Sequence, residues 1–296
     1  MSGPLPLTEP LALTGPVIAV VLVGALLHAG WNALVKSSGD KAVDTALVHF
    51  LGALMALPVL LVTGLPAPAS WPFIGVSLLI HVGYYMALSG AYRHGDLGLT
   101  YPIMRGFAPL LVALASGSLI GEVLSLAAWL GVVGITLGVA LVGLASPGQA
   151  LNHRKALAFA LANAVIIACY TVVDGLGVRQ AGNAAAYVIL LFVLDGLPFP
   201  LLVWVSRGAQ GRVQILRYAR TRWPLAALGG VASIGSYWIA LWAMTRAPVA
   251  AVAALRETSV LFAAVLGVWL LKERFGVQRA IGTVVLVAGV IALRLG

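Results

Sequence analysis

"LAAWLGVVGITLGVALVGLA", residues 126–145, is apolar on every side. A transmembrane β-strand would show about ten residues alternating apolar and polar, so this stretch is a helix. Its length is what a crossing of the hydrocarbon layer asks for, about 20 residues at about 1.5 Å each. Working outward, comparable runs predict ten spans, at approximately 16–35, 43–64, 72–92, 97–119, 126–145, 155–174, 185–205, 222–243, 248–271 and 277–295. With 61% hydrophobic residues, 9% charged residues and a mean hydropathy of +1.03, the chain has no composition for a water-facing surface. The expected fold class is an all-α integral membrane protein. No Lys or Arg precedes Val17, which argues against a cleaved leader and for a true first span. The single Cys169 excludes an internal disulfide or a Cys-based metal cluster, and it reads as a small buried apolar side chain.

A sequence pI of about 10.1 would suit nucleic acid, but the cations follow the loops instead. The connections after spans 1, 3, 5, 7 and 9 hold thirteen Lys and Arg, five of them at Arg207, Arg212, Arg217, Arg220 and Arg222, whereas the opposite side holds Arg179, Arg246 and Arg294. By the positive-inside rule this places both termini outside, in the periplasm of a Gram-negative cell. No nucleic-acid partner is expected, since no basic groove interleaved with aromatics is present.

Shifting the chain by 151 positions pairs Arg105 with Arg256, Leu110 with Leu261, Glu122 with Glu273, Gly131 with Gly282 and Gly138 with Gly289. A weaker match sets Trp31 of "LLHAGWNALV" against Tyr170 of "VIIACYTVVD". The expected organisation is two five-helix repeats, residues 1–148 and 149–296. Because five is odd, the second copy enters the membrane from the other side. Inverted repeats give a transporter two near-equivalent states, open inward or outward, about a site near the bilayer centre.

Ionisable groups at membrane depth usually face a cavity or a partner. Arg105 lies eight residues into its span and Arg256 holds the matching place. Either guanidinium, or each in turn, suits a substrate carboxylate; the alternatives are snorkelling or a structural pair with Glu257 or Asp96. On span 3, His81, Tyr85, Leu88 and Tyr92 share a stripe, with Tyr101 at the next span and Ser233, Tyr237, Trp238 and Trp242 on span 8. Aromatic walls favour an apolar or aromatic side chain. Asn32, beside Trp31, adds a donor and an acceptor. Trp71, Trp204 and Trp223 read as interface anchors, and "GVVGITLG" and "GTVVLVAG" as close helix packing. A proton carrier would be sought among Glu257, Asp195 and His81. An enzyme is not expected: Asp174 and Asp195 differ in depth by roughly 15 Å, and His28, His49 and His81 have no zinc-site spacing. No cofactor or metal is expected either.

The repeat, "HAGWN" at 28–32, and the turns "GEVLS" at 121–125 and "KERFG" at 272–276 resemble the drug/metabolite transporter superfamily in its ten-helix EamA-type branch. Glu122 and Glu273 match the glutamate that ends each fourth helix of that family, and Gly131 and Gly282 match its glycine-rich fifth helices. Pro109 matches the proline of the first fourth helix, while Val260 replaces it in the second half. Aromatic-rich third and eighth spans look like those of the YddG-type exporters of aromatic and other neutral amino acids. The resemblance implies a central cavity lined by the first, third, fourth, sixth, eighth and ninth helices, with Trp31, His81, Tyr85, Tyr101, Tyr170, Ser233, Tyr237 and Arg256 on its wall. It also implies an exporter of amino acids in the inner membrane of a bacterium, and because ten spans in two halves can make a complete pathway alone, a monomer is expected. The alternative is another metabolite or drug carrier, for instance of nucleotide sugars. Small four-helix relatives that expel cationic drugs carry a carboxylate in the first helix, which is missing here.

Overall fold

The computed structural model describes residues 11–94, 97–143, 154–271 and 276–296. They form α1 (Gly15–Lys36), α2 (Lys41–Thr63), α3 (Trp71–His94), α4 (Leu97–Leu119), α5 (Leu126–Gly143), α6 (Arg154–Gln180), α7 (Ala184–Asp195), α8 (Pro198–Ser206), α9 (Gly208–Met244), α10 (Val249–Arg256), α11 (Ser259–Leu271) and α12 (Val277–Leu295), with no strand among the described residues. Ten helical segments are long and apolar enough to cross a membrane. The chain is an all-α integral membrane protein. Large apolar side chains face outward where a soluble protein would hide them, Leu61 at 88% exposure and Leu79 at 75% among them, as lipid-facing surfaces require. Glu273, one member of the repeat pairing, lies outside the described residues.

Local chemistry sets the helix ends. Pro16 opens α1, where a missing N–H costs nothing. The Asp40 carboxylate accepts the Val43 amide to start α2, and Asn183 accepts those of Ala185 and Ala186 to start α7. Two predicted spans are broken. Span 7 divides after Asp195 at Gly196 and Leu197, with Pro198 opening α8. Span 9 divides at Glu257 and Thr258, where Glu257 and Thr258 amides bond back three residues to Ala254 and Leu255 and the Thr258 hydroxyl also donates to Leu255, at 2.7 Å.

One predicted loop is helical. Residues 208–221 extend span 8 into the 37-residue α9, and Tyr218 within them, with Arg222 just beyond, ties this extension to neighbouring helices. Arg222 donates to the Asp44 carboxylate at 3.0 Å and to Leu34 carbonyl at 2.8 Å, and Tyr218 also donates to Asp44. Arg212 lies over the Trp204 ring.

α1 packs on α9 and α11, while α6 packs on α3 and α4; α5 pairs with α12 and α2 with α7. The glycine rows serve packing as expected. A methyl built on Gly131 would lie 2.6 Å from the Leu293 amide, and one on Gly289 would lie 2.6 Å from that of Ile135. Cys169 corrects its reading: it is exposed on the outward side of α6, while its neighbours Ala168 and Tyr170 turn inward.

Candidate functional site

A cavity of ≈ 930 Å³ lies between the helices, within the range of small-molecule sites. Of the ten residues predicted for the site, Trp31, Asn32, His81, Tyr85, Arg105, Tyr170, Ser233, Tyr237 and Arg256 all line it. Tyr101 belongs to α4, but its side chain lies outside the described residues. Spans 2 and 7 line the cavity as well, through Thr45, His49, Phe192 and Asp195, which widens the six-helix lining implied by family resemblance.

The cavity reaches exposed Lys36, Lys41, Ser206 and Arg207 at one end, the basic face. The opposite end is packed shut by Val17, Val21, Val178, Tyr187, Met244 and Val249, all buried. A polar clamp completes that seal. The Arg179 guanidinium meets the Glu122 carboxylate at 2.8 Å and donates to Met244 carbonyl, while the same carboxylate accepts the Val249 amide that opens α10. Helix end, acid and arginine are thereby tied together.

The two matching arginines differ in their neighbours. Arg105 is 7% exposed, and its Nε lies 3.0 Å from Glu257 Oε2, the structural pair foreseen as one alternative. Arg256, last residue of α10, has its guanidinium 5.2 Å from the Tyr237 ring centre. It makes no ion pair or hydrogen bond among the described residues. A small void touches Arg105, Arg256, Glu257 and Tyr170 together, so both cations meet at the inner end of the cavity.

The walls are aromatic and largely oriented by hydrogen bonds. His81 Nδ1 bonds the Ser77 carbonyl at 2.8 Å, and its ring stacks on Tyr170 at 4.5 Å. Tyr84 stands edge-on to both. Tyr237 donates to Asp174, a fully buried carboxylate that also accepts from Tyr187. Asn32 donates to the His28 carbonyl, and His28 meets Trp31 edge-on at 5.3 Å. The Trp31 Nε1 donor is buried and has no hydrogen-bond partner among the described residues. Such a donor is costly unless something fills it.

Sequence reasoning placed Asp195 only as a potential proton carrier and left out His28, His49, Tyr84 and Phe199. His28 had a signal, its place three residues before Trp31 on one helical face. Asp195, on span 7, places a carboxylate on the cavity wall. No group of three His, Cys, Asp or Glu able to hold a metal occurs among the described residues.

Residues 154–295 match the profile of the EamA-like transporter family, so the second half carries a domain of that family. A solved crystal structure superimposes with a TM-score of 0.72 over 95% of this chain and 97% of its own, at 18% identity, a likeness of fold alone. No curated protein matches the sequence.

Proposed function

We propose, with the EamA-like domain of residues 154–295 as the premise, that the protein exports small metabolites, above all aromatic and other neutral amino acids of the YddG type. It does so across the cytoplasmic membrane of a bacterium as a monomer, by alternating access about the cavity. A domain of that family implies passage of a small solute through a bilayer. The two five-helix units, residues 1–148 and 149–296, are inverted copies with both termini periplasmic, so the basic face is cytoplasmic. The reciprocal packing of α1 on α9 and α6 on α3 supports this reading, as does a family match, residues 154–295, that falls wholly within the second unit.

The observation that carries the solute class is Arg256. It faces the cavity with an aromatic ring beneath it, and it makes no ion pair or hydrogen bond among the described residues, the neighbouring Glu257 being turned to Arg105. A guanidinium so placed takes a carboxylate with a pair of charge-assisted bonds, and the idle Trp31 donor adds a further bond. Rings of Tyr84, Tyr170 and Tyr237 then flank the side chain of the solute. A second reading, export of other organic anions, is favoured by the lining itself: Lys36, Lys41, Arg105, Arg207, Arg256 and Arg279 against Asp195.

The test is a panel assay in liposomes loaded with labelled leucine or phenylalanine and challenged with all twenty amino acids, simple carboxylates and quaternary amines. Exchange with neutral amino acids is expected. Movement of quaternary amines alone reverses the solute class, and movement of carboxylates alone selects the second reading.

A further inference from the structure

Asp195 stands out among the cavity residues as an acid without a cation. Its Oδ2 accepts a hydrogen bond from the Tyr85 hydroxyl at 2.7 Å, and it makes no other hydrogen bond or ion pair among the described residues. The residue is half-buried on the cavity wall. Its position in the helix is also unfavourable. Asp195 closes α7, where the unpaired carbonyls carry partial negative charge and a carboxylate is locally disfavoured. A residue that breaks a local rule inside a cavity points to a compensating ligand.

The surroundings specify which ligand. Phe199 stacks on Tyr85 at 4.9 Å with an interplanar angle of 23°, and His49 meets both rings edge-on at 6.1 and 6.2 Å. His49 Nδ1 donates to the Thr45 carbonyl at 2.8 Å, which fixes the orientation of the ring. The Tyr85 and Phe199 rings, the Asp195 carboxylate and a helix carbonyl end converge beside His49, and each of these four attracts positive charge. The break that creates this helix end is held open by packing. A methyl on Gly196 would lie 2.8 Å from the His49 carbonyl, so only glycine lets α7 approach α2 this closely. Chain breaks of this kind line cavities in membrane proteins, and C-terminal half-helix ends there face cations.

We infer that Asp195, with Tyr85, Phe199 and His49, forms a subsite for the ammonium group of the transported solute. This rests on the reading of the cavity as the solute site, and it deepens that reading: Arg256 takes the carboxylate and Asp195 the amine, so the solute is recognised as a zwitterion. Both charged anchors are the last residues before a break in their spans, Asp195 before Gly196 and Arg256 before Glu257. A shared element connects them: Phe192, one turn before Asp195, lies 5.9 Å from Tyr237, the ring beneath Arg256.

Three probes of one shape separate the charges: L-phenylalanine, 3-phenylpropionate without the amine, and phenethylamine without the carboxylate. Each is measured for transport in liposomes by wild type and by Asp195→Asn, with folded yield followed by size exclusion. Wild type is expected to prefer phenylalanine over both analogues. Asp195→Asn is expected to weaken phenylalanine on the order of tenfold or more and leave phenylpropionate unchanged, because only the former loses an ion pair. Phe199→Leu, which removes a ring and keeps the acid, is expected to weaken phenylalanine about threefold, in line with one exposed cation–π contact; should Asp195→Asn not fold, this variant decides the matter by the same comparison. Equal loss for phenylalanine and phenylpropionate, or no loss for either, overturns the subsite and leaves the function intact. Wild-type preference for phenylpropionate overturns the subsite and selects organic anions. Transport of none of the three overturns the proposed function and the subsite with it.

Discussion

The span that carries Arg105 and the span that carries Arg256 hold the same charge at the same offset, yet they solve the problem of a buried cation in opposite ways. α4 contains Pro102 and Pro109 and remains one helix from Leu97 to Leu119, whereas its counterpart lacks proline at Val260 and is broken into α10 and α11. Proline is therefore not what breaks the chain here. Pro109 removes the amide that would bond the Arg105 carbonyl, but neighbouring helices hold α4 in place. At Glu257 and Thr258 the causes are a side-chain hydroxyl competing for the Leu255 carbonyl and an acid drawn to Arg105 on the other span. The break gives Arg105 its counter-ion and leaves Arg256 without one.

That contrast is exposed most directly by removing the shared acid. Glu257→Ala removes the acid beside Arg105 and is expected to lower stability by about 3–5 kcal/mol, read as a fall in melting temperature in detergent. A variant as stable as wild type would mean that Arg105 is neutralised by something else. Next in size is the other end of α10: Glu122→Ala removes the partner of Arg179 and the cap of Val249, for a predicted loss of about 3 kcal/mol in the same melting assay.

The arginines themselves provide the sharper split. Arg256→Ala is expected to reduce amino-acid transport about tenfold or more, a loss of about 1.4 kcal/mol or more in binding, at unchanged folded yield; Arg105→Ala is expected to reduce the yield instead. Equal losses of yield in both would erase the difference between the spans. Smallest is Val260→Pro, which restores the residue type of Pro109. Val260 lies in the first turn of α11 and gives up one bond to the Glu257 carbonyl, so a change of about 1 kcal/mol or less is expected in the melting curve.

Much of this was legible in the sequence because lipid imposes simple arithmetic on helix length, and all ten segments emerged from apolar runs alone. Trp31, Tyr170 and Tyr237 stood out as aromatic groups at depth, and the family resemblance placed them on a cavity wall, where they line the cavity. What escaped was set by contacts distant along the chain. The interruption at Glu257 depends on Arg105, 152 positions earlier in the numbering. Residues 208–221 carry arginines and read as a loop, but Asp44 on α2 holds this extension through Tyr218 within it and Arg222 just beyond it. Asp195 read as one of three potential proton carriers, since nothing local reveals that Tyr85, Phe199 and His49 gather around it. Cys169 was assigned to the interior from residue type, and helical phase decides otherwise.

The joint between α2 and α9 limits how such a molecule can rearrange. A methyl on Gly230 would lie 3.0 Å from the Gly52 amide, one on Gly229 would lie 2.9 Å from the Val48 side chain, and Asp44 fastens the basic extension above them through Tyr218 and Arg222. Backbones riveted at two heights cannot slide past each other without unfilling one joint. They form a single stiff panel, and α5 with α12, interlocked through Gly131 and Gly289, forms another. On the alternating access proposed above, the motion that shuts the mouth swings whole panels about seams elsewhere, so a cross-link within a panel should be harmless to transport and a cross-link between panels should stop it.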